Sequence, residues 1–286
     1  MTASAGSCGS ARPLTCRALV QAAKERLEEN GIHDAGSDIW LLLEAAGMDR
    51  QTWLLQADAE ADPELVRRFL AFLERRCRRE PVQYILGEAW LYGRRFCVTP
   101  DVLIPRPDTE ILIGEAMERL QDGMRILDLC TGSGCILLSL LGRGGVTGCG
   151  SDLSEAALAV ARENGRRLGL EAQWVCSDLF ADVTGPFDII VSNPPYIASD
   201  VLPALEPEVR LHEPVMALDG GPDGLGLLRR IIRDAGRYLQ KDGWLLLEIG
   251  YDQGRSVPAL LQAAGYRQIS VVRDFAGHDR VAIGRI

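Results

Sequence analysis

The chain has 286 residues, of which 47% are hydrophobic, and its formal net charge at pH 7 is −9. This length accommodates one large and one small domain, with a sizeable core. The acidic balance disfavours a long nucleic acid as the main partner, because such binding depends on clustered Lys and Arg. No stretch reaches the roughly 18 uninterrupted apolar residues that a membrane-spanning helix requires, so we expect no membrane partner.

The eight cysteines and three histidines show no metal-binding pattern. No Cys-x-x-Cys occurs and the histidines are scattered, so we expect no metal site. Several cysteines fall within apolar strand patterns, which is typical of reduced core residues in a cytoplasmic protein. Residues 1–13 are small and polar and lack the apolar core of a secretory signal, so we predict a disordered leader there.

Residues 14–80 are predicted to form a small helical domain. One face of the first helix is marked by Leu19, Ala22, Ala23 and Leu27. A second helix is predicted over 39–46 and a third over 63–79, where Pro63 suits the first turn. The basic run 75–79 is expected to be a solvated helix end, with contact with RNA or with an acidic protein as the alternative. Because no catalytic constellation occurs here, we interpret this domain as a substrate-docking module, with a simple packing appendage as the alternative.

Residues 81–100 interleave aromatic side chains with Gly87 and Gly93, which predicts a hairpin that links two domains. The prolines of the following segment, 102–110, predict an extended chain before a helix over 110–120. Asp108 or Thr109 is expected to cap that helix.

From residue 101 to the end, we predict a single α/β domain. Strand patterns occupy 125–130, 146–151, 173–176, 188–192, 244–249, 268–273 and 281–285. Helical patterns such as 154–168 and 225–239 lie between them, which predicts a parallel, doubly wound sheet. The loop 274–280 is too short for a parallel crossover, so the last strand must be antiparallel. A mostly parallel sheet with a reversed C-terminal strand is the Rossmann-like sheet of class I methyltransferases.

A glycine loop follows the first of these strands, in the run Asp128-Leu129-Cys130-Thr131-Gly132-Ser133-Gly134. Gly132 and Gly134 are predicted to let a ligand approach the backbone. Leu137 stands where a dinucleotide fingerprint requires a third glycine, so a nicotinamide oxidoreductase is disfavoured.

Two acids follow at the ends of the next two strands. Asp152 lies about 20 residues beyond the glycine loop, as ribose recognition requires, although capping of the next helix is an alternative. Asp178 is predicted to accept a hydrogen bond from an adenine amino group, with Leu179 and Phe180 covering the ring. Together these strand ends predict one nucleoside pocket.

The fourth strand ends in Asn193-Pro194-Pro195-Tyr196. The first proline restricts Asn193 to an extended backbone, so a side-chain amide is held at a strand end, where open α/β sheets bind ligands. A plain strand terminator is the alternative for this tetrapeptide taken alone. Glu248, at the end of another predicted strand, is expected to be structural.

The sequence resembles the bacterial peptide chain release factor glutamine methyltransferases (the HemK/PrmC family) from about residue 14 to 286. The resemblance rests on the glycine loop, the Asn-Pro-Pro-Tyr tetrapeptide and four further segments. These are Glu80-Pro81-Val82-Gln83-Tyr84-Ile85-Leu86-Gly87, Val102-Leu103-Ile104-Pro105-Arg106-Pro107-Asp108-Thr109-Glu110, Ala217-Leu218-Asp219-Gly220-Gly221-Pro222-Asp223-Gly224 and Leu247-Glu248-Ile249-Gly250-Tyr251-Asp252-Gln253-Gly254. The chain departs from the family pattern at Leu91, at Cys130 where a small residue is usual, and at Leu179.

The resemblance implies transfer of a methyl group from S-adenosylmethionine to the glutamine of the GGQ motif in release factors. The cofactor-binding residues it implies are Cys130, Thr131, Gly132, Ser133, Gly134, Asp152, Asp178, Leu179, Phe180 and Asn193. A nucleic-acid amino methyltransferase or a ribosomal-protein glutamine methyltransferase is the alternative within enzymes. A non-catalytic S-adenosylmethionine-binding module is the alternative from another class.

The catalytic and substrate-binding residues are predicted to be the tetrapeptide itself, 193–196. An amide nitrogen is a poor nucleophile, so it requires orientation rather than a strong base. We expect the Asn193 side-chain oxygen and the Pro194 carbonyl to accept the two N–H bonds of the substrate amide. Pro195 stiffens the turn, and Tyr196 is expected to pack over the amide plane.

Overall fold

The computed structural model describes residues 14–33 and 35–286, so the predicted leader 1–13 lies outside the described residues. The chain forms two compact units, of which the first ends at Leu86 and the second begins at Gly87. None of the helices among the described residues combines the length and the apolar character needed to cross a membrane.

The first unit is helical. Its helices are α1 (Cys16–Glu29), α2 (Ala35–Ala46), α3 (Arg50–Gln56), α4 (Pro63–Cys77) and α5 (Val82–Leu86). Leu27, Leu42 and Phe69 are fully buried at the centre of its core. On α1 the predicted face is buried at Leu19, Ala23 and Leu27, whereas Ala22 is exposed.

Side chains cap three of these helices. Thr15 accepts from Ala18 N at α1, Asp49 from Thr52 N at α3 and Asp62 from Leu65 N at α4. Pro63 occupies the first turn of α4, as predicted. Such caps satisfy amide groups that a helix start leaves without partners.

The basic run 75–79 is only in part the solvated helix end that its sequence predicted, because Arg78 is exposed and Arg76 is buried. Arg75 forms an ion pair of 2.5 Å with Glu80, and the guanidinium of Arg76 is buried against Asp38 at 2.7 Å. Arg79 donates to the Gly31 carbonyl at 2.6 Å. These cations hold the helical unit together, because each one satisfies a carboxylate or a carbonyl of another segment.

The segment 81–100 is only in part the predicted hairpin linker. Residues 82–86 form α5, whose Val82 and Ile85 are buried in the core of the first unit, so that unit extends past residue 80. The hairpin itself consists of β1 (Glu88–Leu91) and β2 (Arg94–Cys97), paired antiparallel. It belongs to the second unit, because Leu91 and Phe96 are buried in the core of that unit.

The second unit contains the remaining elements. Its helices are α6 (Thr109–Arg119), α7 (Cys135–Leu141), α8 (Glu155–Leu168), α9 (Pro207–His212), α10 (Gly226–Ala235) and α11 (Ser256–Ala263). Its further strands are β3 (Arg125–Leu129), β4 (Thr147–Asp152), β5 (Gln173–Cys176), β6 (Phe187–Ser192), β7 (Leu239–Glu248), β8 (Arg267–Arg273) and β9 (Asp279–Arg285).

The seven strands β3 to β9 form one sheet in the order β5-β4-β3-β6-β7-β9-β8. The first five strands in this order are parallel, and β9 runs antiparallel to both β7 and β8. This confirms the predicted sheet and its reversed C-terminal strand. Strand β7 begins at Leu239, five residues before its predicted start, and α9 was not predicted.

Both faces of the sheet are buried, as the continuous apolar runs in its strands predict. Successive residues of a strand point to opposite faces. Leu127 and Leu245 therefore pack with α10 and α11, whereas Ile126 and Leu246 pack with α6 and α7. Because strand order reverses between β3 and β6, the carboxyl ends of these strands frame the crevice where such sheets bind ligands.

Candidate active site

A cavity opens at the carboxyl ends of β3, β4, β5 and β6. Counted to its open mouth, its volume is about 990 Å³. It is lined by the following predicted site residues: Cys130, Thr131, Gly132, Ser133, Asp152, Asp178, Leu179, Asn193 and Pro195. The structure does not bring Gly134, Phe180, Pro194 and Tyr196 into this lining.

The two glycines of the loop after β3 serve different purposes. Gly132 has a φ of 54°, and a Cβ atom placed on it would meet nothing within 4 Å. At Gly134, with φ of 77°, a Cβ atom would lie 2.9 Å from the Trp174 ring and 3.2 Å from Ala161. Only Gly132 therefore leaves its backbone open to a ligand, whereas Gly134 is required for packing, which corrects the prediction for it.

Trp174 also explains one of the two glycines of β4, Gly150, whereas Gly148 faces Leu137. A Cβ atom on Gly150 would lie 2.5 Å from the benzene ring of Trp174. The indole thus lies in direct contact with the backbone of β4 at Gly150 and with the glycine loop at Gly134. Such close approach is available only where the strand carries no side chain.

Asp152 joins the ends of two strands through its carboxylate. Its Oδ2 accepts from Gly132 N at 2.9 Å and its Oδ1 accepts from Ser154 N at 2.9 Å. The cap of α8 is Ser154, whose hydroxyl accepts from Ala157 N, so Asp152 is not the cap. Burial raises the Asp152 pKa, and the backbone donors oppose that shift. A carboxylate has about four acceptor positions, so two remain for hydroxyl groups of a ligand.

The predicted adenine contacts are met only in part. Asp178 pairs with Arg230 at 2.8 Å and its side chain is half exposed at the cavity edge. Leu179 lines the cavity in a left-handed conformation, φ of 54°. Phe180 is buried in the core, stacked on Tyr238 with ring centroids 4.5 Å apart. The structure therefore places Phe180 in the core and not in the cavity lining, so of the two residues predicted to cover the ring only Leu179 lines the cavity.

Asp128 lies beneath the glycine loop and is fully buried. Its Oδ2 accepts from the Thr131 hydroxyl at 2.6 Å and from Leu137 N at 3.3 Å. Burial raises its pKa to about 7. Among the described residues nothing bonds its Oδ1. Asp128 therefore anchors the loop from the side opposite the cavity.

Asn193 reaches the cavity from the end of β6, and its amide has a defined partner. Its Nδ2 donates to the Thr109 hydroxyl at 3.4 Å, and that hydroxyl donates to Glu248 Oε2 at 2.8 Å. The Tyr196 hydroxyl donates to Glu248 Oε1 at 3.3 Å. Tyr196 is thus held against Glu248 instead of lining the cavity, which corrects its predicted place over the amide plane.

Besides the bonds of Thr109, the segment 105–110 reaches three separate parts of the second unit. Arg106 pairs with the buried Glu213, and Asp108 pairs with Arg280 at 3.2 Å. Glu110 accepts from the backbone N–H of Tyr92 at 2.7 Å. Asp108 makes no capping bond at α6, so the predicted cap is wrong.

Sequence reasoning missed Thr109 and Glu248 as parts of the site. The signal for Glu248 was present, because a carboxylate at the end of the apolar run 244–249 must be buried with a partner. Nothing local pointed to Thr109 as that partner. The described residues contain no cluster of three or more His, Cys, Asp or Glu side chains arranged to hold a metal ion.

This sheet, with its reversed last strand and a cavity at the carboxyl ends of its parallel strands, defines a class I methyltransferase. A solved methyltransferase from Pyrococcus furiosus has the same fold, with a TM-score of 0.52, 18% identity and coverage of 68% of this chain and 90% of its own. Residues 18–87 match the PrmC N-terminal domain family and residues 107–204 match the methyltransferase small domain family.

Relatives in sequence identify the particular family. The release factor glutamine methyltransferase of Caulobacter vibrioides is 43% identical over 272 residues, which cover 92% of this chain and 93% of that protein. That of Cereibacter sphaeroides is 46% identical over 271 residues, which cover 93% of this chain and 97% of that protein. The chain belongs to the release factor glutamine methyltransferase family.

Proposed function

We propose that this protein transfers a methyl group from S-adenosylmethionine to the side-chain amide nitrogen of a glutamine in a peptide chain release factor, the glutamine of the GGQ motif. Family membership supports the reaction. One observation supports the assignment of this reaction to the cavity. Asn193 engages Thr109 through Nδ2, which leaves Oδ1 without a partner among the described residues and available to accept an N–H at the cavity.

The residues around the cavity suit S-adenosylmethionine. Gly132 leaves open space above the loop, and Asp152 has acceptor positions left for a ribose diol. Asp178 and Leu179 lie at the next strand end, where an adenine ring would be held. When bound, the cofactor supplies an electrophilic methyl group on a sulfonium centre.

The protein contributes mainly orientation to this reaction. The lone pair of an amide nitrogen is delocalised into its carbonyl, so the nitrogen attacks only from a fixed geometry. The Asn193 Oδ1 accepts one amide N–H bond and fixes that geometry, whereas the Pro194 carbonyl, the predicted second acceptor, lies outside the cavity lining. Positioning of this kind supplies roughly 7–11 kcal/mol of a barrier. The Asn193 dipole also stabilises the positive charge that develops on nitrogen.

No side chain at the cavity is required as a strong base, because the methylated amide loses its extra proton readily to water. Cys130 lines the cavity, but burial raises its pKa to about 12, so its thiol stays protonated. The helical first unit, which matches the PrmC N-terminal domain family, is the proposed docking module for the protein substrate. A protein substrate in translation implies a cytoplasmic enzyme that does not act directly on nucleic acid.

Labelled S-adenosylmethionine tests the proposal. Incubation with a release factor should place the label on the glutamine of its GGQ motif, with little label on DNA, RNA or ribosomal protein offered instead. Label on nucleic acid or on ribosomal protein alone would refute the assignment.

Asn193→Ala should lower kcat roughly 100- to 1,000-fold, the usual effect of deleting one dipole that acts on the reacting group. Asp122→Asn is the matched control, because Asp122 is exposed on the same unit and its ion pair among the described residues is with Arg143. Near wild-type kcat in Asn193→Ala would exclude the amide clamp.

A further inference from the structure

We propose that Glu248 is a positioning residue which, through the Thr109 hydroxyl, sets the orientation of the Asn193 amide, so that the site accepts an amide substrate only while Glu248 is ionised. The inference deepens the proposed function and rests on it. Its basis is a chain of two hydrogen bonds among three buried or half-buried groups.

Donor and acceptor counting fixes the direction of this chain. An ionised carboxylate only accepts, so the single Thr109 proton points to Glu248 Oε2, 2.8 Å away. The Thr109 oxygen is then an acceptor for its other neighbour and takes an N–H from Asn193 Nδ2 at 3.4 Å. Asn193 is left with Oδ1 toward the cavity, which is the group that an incoming amide N–H requires.

Protonation of Glu248 reverses the chain. The new carboxyl O–H donates to the Thr109 oxygen, and the Thr109 proton turns toward Asn193. The Asn193 amide then presents Oδ1 to Thr109 and its NH₂ group to the cavity. Two NH₂ groups would face each other there, so the substrate amide loses its acceptor and the productive geometry is lost.

The burial of Thr109 and Glu248 strengthens the coupling between Glu248 and the Asn193 amide. Thr109 is 2% exposed and Glu248 is 1% exposed, so water competes poorly for either hydroxyl or carboxylate. In such low-dielectric surroundings, an unmatched donor or acceptor is strongly unfavourable. The alternative orientations of Asn193 are therefore well separated in energy.

The surroundings of Glu248 determine the pH at which its carboxyl group loses its proton. Burial raises its pKa to about 7, and the nearby Asp108 charge acts in the same direction. The hydrogen bond from Thr109, the Arg280 charge and the Tyr196 hydroxyl lower the pKa and offset part of this rise. The Cys135 thiol also faces Glu248 and stays protonated, with a pKa raised to about 12 by burial. The orientation of Asn193 should therefore change over an accessible pH range.

The test is the pH dependence of kcat, measured from pH 5.5 to 9 at saturating S-adenosylmethionine and release factor. For the wild-type protein kcat should fall about tenfold per pH unit below an apparent pKa near 7. The substrate amide does not titrate in this range, so it cannot produce that fall.

Thr109→Val removes both hydrogen bonds with little change in volume. It should lower kcat at pH 8.5 roughly 10- to 100-fold, leave the KM for S-adenosylmethionine within about threefold, and abolish the acidic fall. Thr109→Ser, which restores the hydroxyl, should recover both rate and pH dependence. Asp122→Asn should retain the wild-type profile.

Glu248→Gln gives an independent measurement where Thr109→Val folds poorly, as judged by thermal unfolding. Its side chain does not ionise, so its kcat should be independent of pH between 5.5 and 8. An unchanged acidic fall in either variant would overturn the role of Glu248, as would a pH-independent wild-type kcat. Failure of the wild-type protein to methylate the glutamine at any pH would instead refute the proposed function.

Discussion

The two halves of the cavity are built in different ways. The cofactor half consists of the loop after β3 and the end of β4, and its main bonds join Asp128 and Asp152 to backbone or hydroxyl groups between 131 and 154. The amide half joins Thr109 to Asn193 and Glu248, which lie 84 and 139 positions away in the chain.

The cofactor half depends mainly on local chain geometry, whereas the amide half depends on tertiary packing. The cofactor half uses turns with positive φ and backbone N–H groups, so its shape follows from a short stretch of sequence. The amide half uses side chains from α6, β6 and β7, so it exists only when the sheet and its covering helix are assembled. Changes in the first half should therefore alter cofactor binding or loop stability, and changes in the second should alter turnover.

The strongest expected effect on the cofactor half is loss of the Asp152 carboxylate. Asp152→Ala should weaken S-adenosylmethionine binding about 100-fold, because hydrogen bonds from two hydroxyls to one carboxylate are lost. Isothermal titration calorimetry measures this effect. At saturating cofactor, kcat should remain within a few-fold of wild type, which Asn193→Ala should not achieve. Equal affinity in the variant and wild type would contradict the ribose assignment.

An effect of intermediate size should come from filling the space that Trp174 occupies. Gly150→Ala should lower the free energy of unfolding by about 2–3 kcal/mol, because its Cβ atom would lie 2.5 Å from the indole ring. Urea unfolding measures the change. The double variant with Trp174→Leu should lose about 1 kcal/mol less than the sum of the single changes.

Gly114→Ala is the matched glycine control, since a Cβ atom there meets nothing within 4 Å. In the interior of α6 this change should be neutral or stabilise the protein by up to about 1 kcal/mol. Equal destabilisation by Gly114→Ala and Gly150→Ala would show that steric conflict with Trp174 is not the cause.

The smallest expected effect is a change in the pH dependence of stability at Asp128. Its folded pKa of about 7 exceeds the value of about 3.9 in an unfolded chain, so the folded state binds the proton more tightly. Its contribution to stability is therefore greatest at low pH and falls as the pH rises toward 7 and just beyond.

Between pH 6 and pH 8, the free energy of unfolding should fall by about 1 kcal/mol less in Asp128→Asn than in the wild-type protein. Urea unfolding at each pH measures this difference. Glu248, whose pKa is also raised to about 7, remains in the variant and continues to lower stability over the same range. A wild-type slope in Asp128→Asn would mean that Asp128 is ionised in the folded protein at pH 6.

Sequence patterns predicted most of the sheet, because apolar runs bounded by Gly, Pro and Asp mark strands whatever their neighbours are. The place of Asp152 at a strand end follows from the same pattern, whereas its bond from Gly132 N, 20 positions away, depends on the pairing of β3 with β4. The errors share one cause. Phe180, Gly134 and the cap of α6 were each judged from neighbours in sequence, while Tyr238, Trp174 and Arg280 decided their environment.

The sequence alone determined the class of fold, the family and the strand ends that carry the site, because these depend on periodicity, turn chemistry and recurring motifs. Only the tertiary structure decided how the side chains of the segment 105–110 are used. Arg106, Asp108 and Thr109 each bond a residue more than 80 positions away. Such pairs depend on strand order and on the placement of α6 against the sheet, which no local pattern encodes.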